Sequence, residues 1–117
     1  MTIRDIIDIL DAQLLVGHDQ IHRQVEIAGS ADMASEFIKF AKPGTLMLTG
    51  LTHPQIVRSA HILDAAAIVF VRGKTPSDET LKLAEELKVP ILTTHYILFE
   101  TSGRLYANGI WGCVNKL

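Results

Sequence analysis

The stretch Ala67-Ile68-Val69-Phe70-Val71-Arg72-Gly73-Lys74-Thr75-Pro76-Ser77-Asp78 decides the fold. Its first five residues are continuously apolar, the pattern of a strand covered on both faces of a sheet. Arg72 to Thr75 interrupts the run with charge and glycine, and Thr75 and Asp78 have the spacing of a helix capping box. Leu81, Ala84 and Leu87 then recur on one helical face. The same pair of signals lies on both sides. Upstream, Leu46-Met47-Leu48-Thr49 reads as a buried strand ending at Gly50. Thr52-His53-Pro54 then opens a helix with the stripe Ile56, Val57, Ala60 and Leu63; proline suits a first turn, where its missing N–H has no partner in any case. Downstream, Pro90 opens the strand Ile91-Leu92-Thr93, and a last helix is predicted from about Thr94 to Asn108-Gly109.

The N-terminal part carries shorter signals. Thr2 and Asp5 form a capping box ahead of Ile3, Ile6, Ile7 and Leu10 on one face. Leu14-Leu15-Val16 and Val25-Glu26-Ile27-Ala28 are extended runs closed by Gly17 and Gly29, and Ser30 is placed to cap a helix carrying Met33, Phe37 and Ala41. Lys42-Pro43-Gly44 is a turn. Apolar strands alternating with amphipathic helices predict a single three-layer α/β domain over residues 1–117, with a mostly parallel sheet flanked by helices.

Composition bounds what such a domain does. The chain has 117 residues, 48% of them hydrophobic, with eleven Lys+Arg against thirteen Asp+Glu and a net charge of -2. That length can bury a core, and the charge balance offers no basic stripe for nucleic acid. No apolar run is long enough to cross a bilayer, and the start Met1-Thr2-Ile3-Arg4-Asp5 lacks the build of a signal peptide. The lone Cys113 has no internal disulfide partner. A cytoplasmic protein is expected, with no membrane and no nucleic acid among its partners.

With right-handed crossovers, the C-terminal strand ends share one rim, where open α/β sheets hold ligands. The loops predicted there are Gly17-His18, Gly29-Ser30-Ala31-Asp32, Gly50-Leu51-Thr52-His53, Arg72-Gly73-Lys74-Thr75 and Thr94-His95-Tyr96. Their helix starts favour anions, and Arg72, Lys74, His53 and His95 add cationic or switchable donors. The ligand-binding candidates are Ser30, Asp32, Thr52, His53, Arg72, Gly73, Lys74, Thr94 and His95, for a small anionic metabolite or a nucleotide. Taken singly, Ser30, Thr52, Thr75 and Thr94 also read as plain helix caps, and Arg72 and Lys74 as solvated surface charges.

The chemistry of turnover is missing. Gly73-Lys74-Thr75 matches the end of a phosphate-binding P-loop, but the glycine required five positions earlier is Ile68, in mid-strand. No G-x-G-x-x-G, nucleophile elbow or zinc-protease helix occurs. His18 and His22 stand four apart without further ligands, so no metal or cofactor is expected. A non-catalytic regulatory, ligand-binding module is the first reading. The alternative is a protein-interaction or homodimerisation domain that uses the apolar tail Ile110, Trp111 and Val114. An enzyme with His53, His95 and Asp32 as acid/base groups ranks third.

From Gly44 to Ile110 the chain resembles the DRTGG domain family. The likeness is carried by Leu46 to Thr49, Thr52-His53-Pro54-Gln55-Ile56, Ile68-Val69-Phe70-Val71-Arg72-Gly73, Pro76-Ser77-Asp78-Glu79-Thr80, Val89-Pro90-Ile91-Leu92-Thr93-Thr94, and Phe99-Glu100 followed by Gly103-Arg104-Leu105-Tyr106. Ser30-Ala31-Asp32-Met33 and Ser35 resemble the family's first helix entry. The family's Asp-Arg slot holds Thr52-His53, and its Thr-Gly-Gly slot holds Val71-Arg72-Gly73. The resemblance implies a regulatory or assembly role, as a stand-alone DRTGG-like protein. It also implies a fold similar to the N-terminal, non-catalytic domain of HPr kinase/phosphorylase, without kinase activity.

Overall fold

The computed structural model describes residues 1–114 as helices packed on both faces of one six-stranded sheet. Chain order is α1 (Ile3–Leu10), β1 (Gln13–Val16), a 3₁₀ turn (His18–Gln20), β2 (Ile27–Ser30), α2 (Ala34–Phe40), β3 (Thr45–Thr49) and α3 (Pro54–Ile62). It continues through β4 (Ala67–Phe70), α4 (Asp78–Leu87), β5 (Ile91–Thr93) and α5 (Leu98–Ala107) to β6 (Trp111–Gly112). The order across the sheet is β1-β5-β4-β3-β2-β6. β3, β4 and β5 are mutually parallel, as the apolar runs at Leu46, Ala67 and Ile91 predict, and β2 and β6 continue the parallel set.

Alternation along the central strands divides the core. Leu46, Leu48, Val69 and Leu92 face Ile3, Ile6 and Leu10 of α1 and Leu105 of α5. Met47, Ile68, Phe70 and Ile91 face Phe37 of α2, Ile56, Val57 and Ala60 of α3, and Ala84 of α4. Both faces are therefore covered, which is why these strands lack polar alternation.

β1 departs from the sequence expectation. It runs antiparallel to β5, pairing Gln13 with Thr93 and Leu14 with Leu92. Gly17-His18 therefore lies at the rim opposite the other loops, with Gly17 at φ +95° and against Pro90. Four of the five predicted loops share the C-terminal rim.

Helix entries also differ from the predicted caps, each for a local reason. Ser30 stays in the β2–β3 ladder opposite Leu48, so α2 starts later with Met33 as its N-cap. Gly29 sits inside β2, against the Phe40 ring, and does not end the strand. His53 is the N-cap of α3. Thr52 instead offers its carbonyl to the Thr80 hydroxyl at 2.9 Å. Ser77, not Thr75, caps α4 by accepting the Thr80 N–H, which places Asp78 and Glu79 in the first turn, where the dipole favours them. α5 begins at Leu98 because the loop before it is already bonded to β4. Phe70 accepts the Thr94 N–H, and Tyr96 and Thr94 accept the N–H groups of Arg72 and Gly73.

The chain's two outer segments converge. The Val25 N–H donates to the Met1 carbonyl at 2.7 Å, and the Trp111 N–H donates to the Glu26 carbonyl at 3.0 Å. The apolar tail thus returns to its own domain as β6, beside β2.

The Thr2–Asp5 capping box forms as predicted. Hydrogen bonds from the Thr2 N–H, then from its hydroxyl, hold the Asp5 carboxyl below its ordinary 3.8. A depressed carboxyl stabilises the fold above its unfolded value, and that stabilisation is lost as pH falls through the lower folded value. Urea unfolding is expected to separate the parent from Asp5→Ala at neutral pH, with the gap closing in acid.

Candidate functional site

Three side chains from two loops meet on one buried residue, Gly50, at the end of β3. Asp32, after β2, accepts the Gly50 N–H at 2.9 Å. Lys74, after β4, donates its Nζ to the Gly50 carbonyl at 3.1 Å. A Cβ at position 50 would lie 2.9 Å from Arg72 Nη2 and 3.3 Å from Asp32 Oδ1. The position thus lets a guanidinium and a carboxylate lie directly against the backbone. Asp32, Arg72 and Lys74 are all exposed.

Arg72 occupies left-handed backbone, φ 62°, followed by Gly73 at φ 65°. Asp11, Asp64 and Lys88 also have positive φ, but each of these closes a helix. Arg72 instead follows a strand. A non-glycine residue there costs about 1 kcal/mol. The Arg72 and Gly73 amides are consumed by the Tyr96 and Thr94 carbonyls, both at 2.8 Å. The loop therefore presents side-chain cations to solvent and no ring of free N–H groups, which separates it physically from a P-loop.

The remaining candidates divide. His95 and Tyr96 bring their rings to 4.3 Å between centroids, tilted by 35°. The Arg104 guanidinium lies over the Tyr96 ring, 4.1 Å from its centre. Thr94 is buried and gives its hydroxyl to the Leu10 carbonyl at 2.7 Å, tying the loop to α1. Thr52 is bound to α4 through its carbonyl, while His53 is exposed at the α3 entry. Ser30 is drawn toward α5, its hydroxyl 2.7 Å from that of Ser102. Gly73 supplies the turn. The structure thus gathers Asp32, Arg72 and Lys74, with Gly73 between the two cations. It adds His95 through Tyr96 and commits Thr94, Thr52 and Ser30 to other bonds.

Sequence reasoning did not single out Gly50, Tyr96 or Arg104. Gly50 and Tyr96 fall within the loops it marked. Arg104 lies on α5, and no motif connects it with Arg72.

Among the described residues, no group of three His, Cys, Asp or Glu side chains is placed to hold a metal ion, and no helix is long and apolar enough to cross a membrane. Cys113 is buried, its Sγ 3.4 Å from the Thr45 hydroxyl.

Comparison with known proteins gives the chain a family context. The chain is 26% identical over 108 residues to the uncharacterized protein YtoI of Bacillus subtilis (strain 168), covering 90% of this chain and 24% of that protein. It matches the crystal structure of the CBS and DRTGG domains of the regulatory region of Clostridium perfringens pyrophosphatase, complexed with the activator diadenosine tetraphosphate. That match has a TM-score of 0.74 at 22% identity and covers 89% of this chain and 45% of the other. The chain thus spans about a quarter of the curated relative and under half of the solved one. The DRTGG domain model matches residues 5–107, and the chain belongs to the DRTGG domain family.

Proposed function

We propose that this domain is a non-catalytic regulatory module that binds a small anionic ligand, a nucleotide among the candidates, at the Gly50 rim. One observation carries the reading: Arg72 stands in left-handed backbone at a conformational cost, with its guanidinium beside the Lys74–Gly50–Asp32 cluster. Strain of this kind away from helix ends is found where a side chain is needed for function. The activator on the pyrophosphatase regulatory region is itself a polyanionic nucleotide, which supports the ligand class.

Arg72→Gly separates folding from binding. Without ligand, the variant is expected to be at least as stable as the parent, because glycine accepts φ 62° without strain. The parent is expected to gain thermal stability in millimolar tripolyphosphate, since a ligand at 100-fold its Kd adds about 2.7 kcal/mol. Arg72→Gly and Lys74→Ala are expected to lose most of that gain in scanning fluorimetry. An unchanged parent Tm at millimolar tripolyphosphate removes the proposal.

A second reading is favoured by α5 and β6. Phe99 is 79% exposed, Tyr106 71% and Trp111 51%. Tyr106 and Trp111 line a shallow groove beside β2 together with Ser30 and Ser102. This surface suits a protein partner or a second copy, alongside the rim site. Sedimentation of the parent and of Phe99→Asp/Tyr106→Asp would separate the two: a dimer lost in the double variant supports self-association, and a parent that stays monomeric at high concentration removes it.

A further inference from the structure

We propose that the rim takes a purine nucleotide, its base stacked on the His95–Tyr96–Arg104 assembly and its phosphates held by Arg72 and Lys74. This rests on the anion-binding reading above and names what else the ligand must carry.

The flat groups form one connected assembly. Tyr96 is half-buried, and its backbone is fixed on both sides: its carbonyl accepts the Arg72 N–H at 2.8 Å, and its N–H donates to the buried Thr94 hydroxyl at 3.4 Å. Onto this fixed ring come the Arg104 guanidinium at 4.1 Å and the His95 ring at 4.3 Å, and both of these outer groups are exposed. Arg104 reaches Tyr96 from α5, whereas His95 and Tyr96 belong to the loop after β5. The platform is therefore assembled by the tertiary fold.

Its position relative to the cations matters most. The Arg72–Tyr96 backbone bond ties the loop that carries His95 and Tyr96 to the loop that carries Arg72 and Lys74. A ligand with a planar end and a polyanionic end matches that arrangement. Guanidinium and imidazole planes accept nucleobases face to face, and an ordered stack avoids the cost of ordering side chains on binding. A purine has the larger ring and so gains more from stacking on an exposed plane than a pyrimidine does. Charge points the same way. Asp32 lies against Gly50 beside Arg72 and lowers the attraction for a bare phosphate chain, so selective affinity has to come from the base.

Calorimetric titration of the full chain with ATP, CTP and inorganic tripolyphosphate tests this. ATP is expected to bind roughly tenfold tighter than tripolyphosphate, the margin that one stacked base supplies, and tighter than CTP. Arg104→Lys keeps the charge and removes the plane, and His95→Ala removes the second plane. Each is expected to reduce ATP affinity about fivefold or more, with tripolyphosphate binding unchanged and the parent's melting curve retained. Equal binding of ATP and tripolyphosphate overturns the base platform and leaves the rim's anion site standing. Equal binding of ATP and CTP overturns the purine assignment. An ATP preference that survives both substitutions overturns the assignment to His95 and Arg104. Failure of all three ligands to bind at millimolar concentration overturns this inference together with the reading beneath it.

Discussion

Phe70→Ala is expected to destabilise the domain by about 3–5 kcal/mol, the range for a fully buried aromatic truncated in a core. Phe70 has no exposed surface and ends β4, the strand flanked by β3 and β5. Its ring belongs to the core face shared with Ile56, Val57 and Ala84, contributed by α3 and α4. Removing it opens a void between the sheet and two helices, and a close-packed interior closes such a void only in part. A domain of this size has a total stability of about 5–15 kcal/mol, so the loss consumes a large share. The expected drop in Tm is roughly 15 °C or more. Urea unfolding should show a lower midpoint with an unchanged slope. A loss under 1 kcal/mol would mean that the helices close onto the sheet at no cost, contrary to the packing described.

Gly17→Ala is expected to be nearly as damaging, for a different reason. Gly17 turns the chain out of β1 at φ +95°, where an L-residue pays about 1–2 kcal/mol. An added Cβ would also lie 2.8 Å from the Cα of Pro90, a backbone atom that cannot swing aside. Overpacking of this kind adds about 1–3 kcal/mol. Gly44→Ala is the matched control: φ is +85°, yet nothing lies within 4 Å of the added carbon. The difference between the two variants in chemical denaturation measures the steric part. Equal losses would show that the β1–β5 corner yields freely.

The elements legible in the sequence were those with enough length to show a period. β3, α3, β4, α4 and β5 each carry an apolar run or stripe, and their order alone implies parallel pairing. The direction of β1 was not legible, because four residues contain no information about which way a strand is laid against its neighbour. Nor was β6: Trp111-Gly112 is too short to show alternation, and it becomes a strand only by pairing with Ile27 and Ala28. Gly29 looked like a terminator because glycine usually punctuates. Its actual role is to accommodate the Phe40 ring, a residue eleven positions away. The observed caps lie one to three residues after Thr52, Thr75 and Thr94. Thr52 and Thr94 are tied up in long-range bonds with Thr80, Leu10 and Phe70 that no local pattern records, whereas Thr75 is outcompeted locally by Ser77, which accepts the Thr80 N–H.

At the candidate site, Asp32, Arg72 and Lys74 were legible as loop residues following apolar strands. Their meeting on Gly50 depends on β2, β3 and β4 being neighbours, which is a property of the sheet order. The Arg104–Tyr96 contact depends further on how α5 lies across the sheet.

The bonds that hold Met1 to Val25 and Trp111 to Glu26 bring the incoming and outgoing backbone to one doorstep. A host polypeptide carrying this unit could therefore enter and leave through a single surface loop, without its own flanks being pried apart. A circular permutant that joins these ends and opens at Pro43-Gly44 should retain the parent's circular dichroism and cooperative melting.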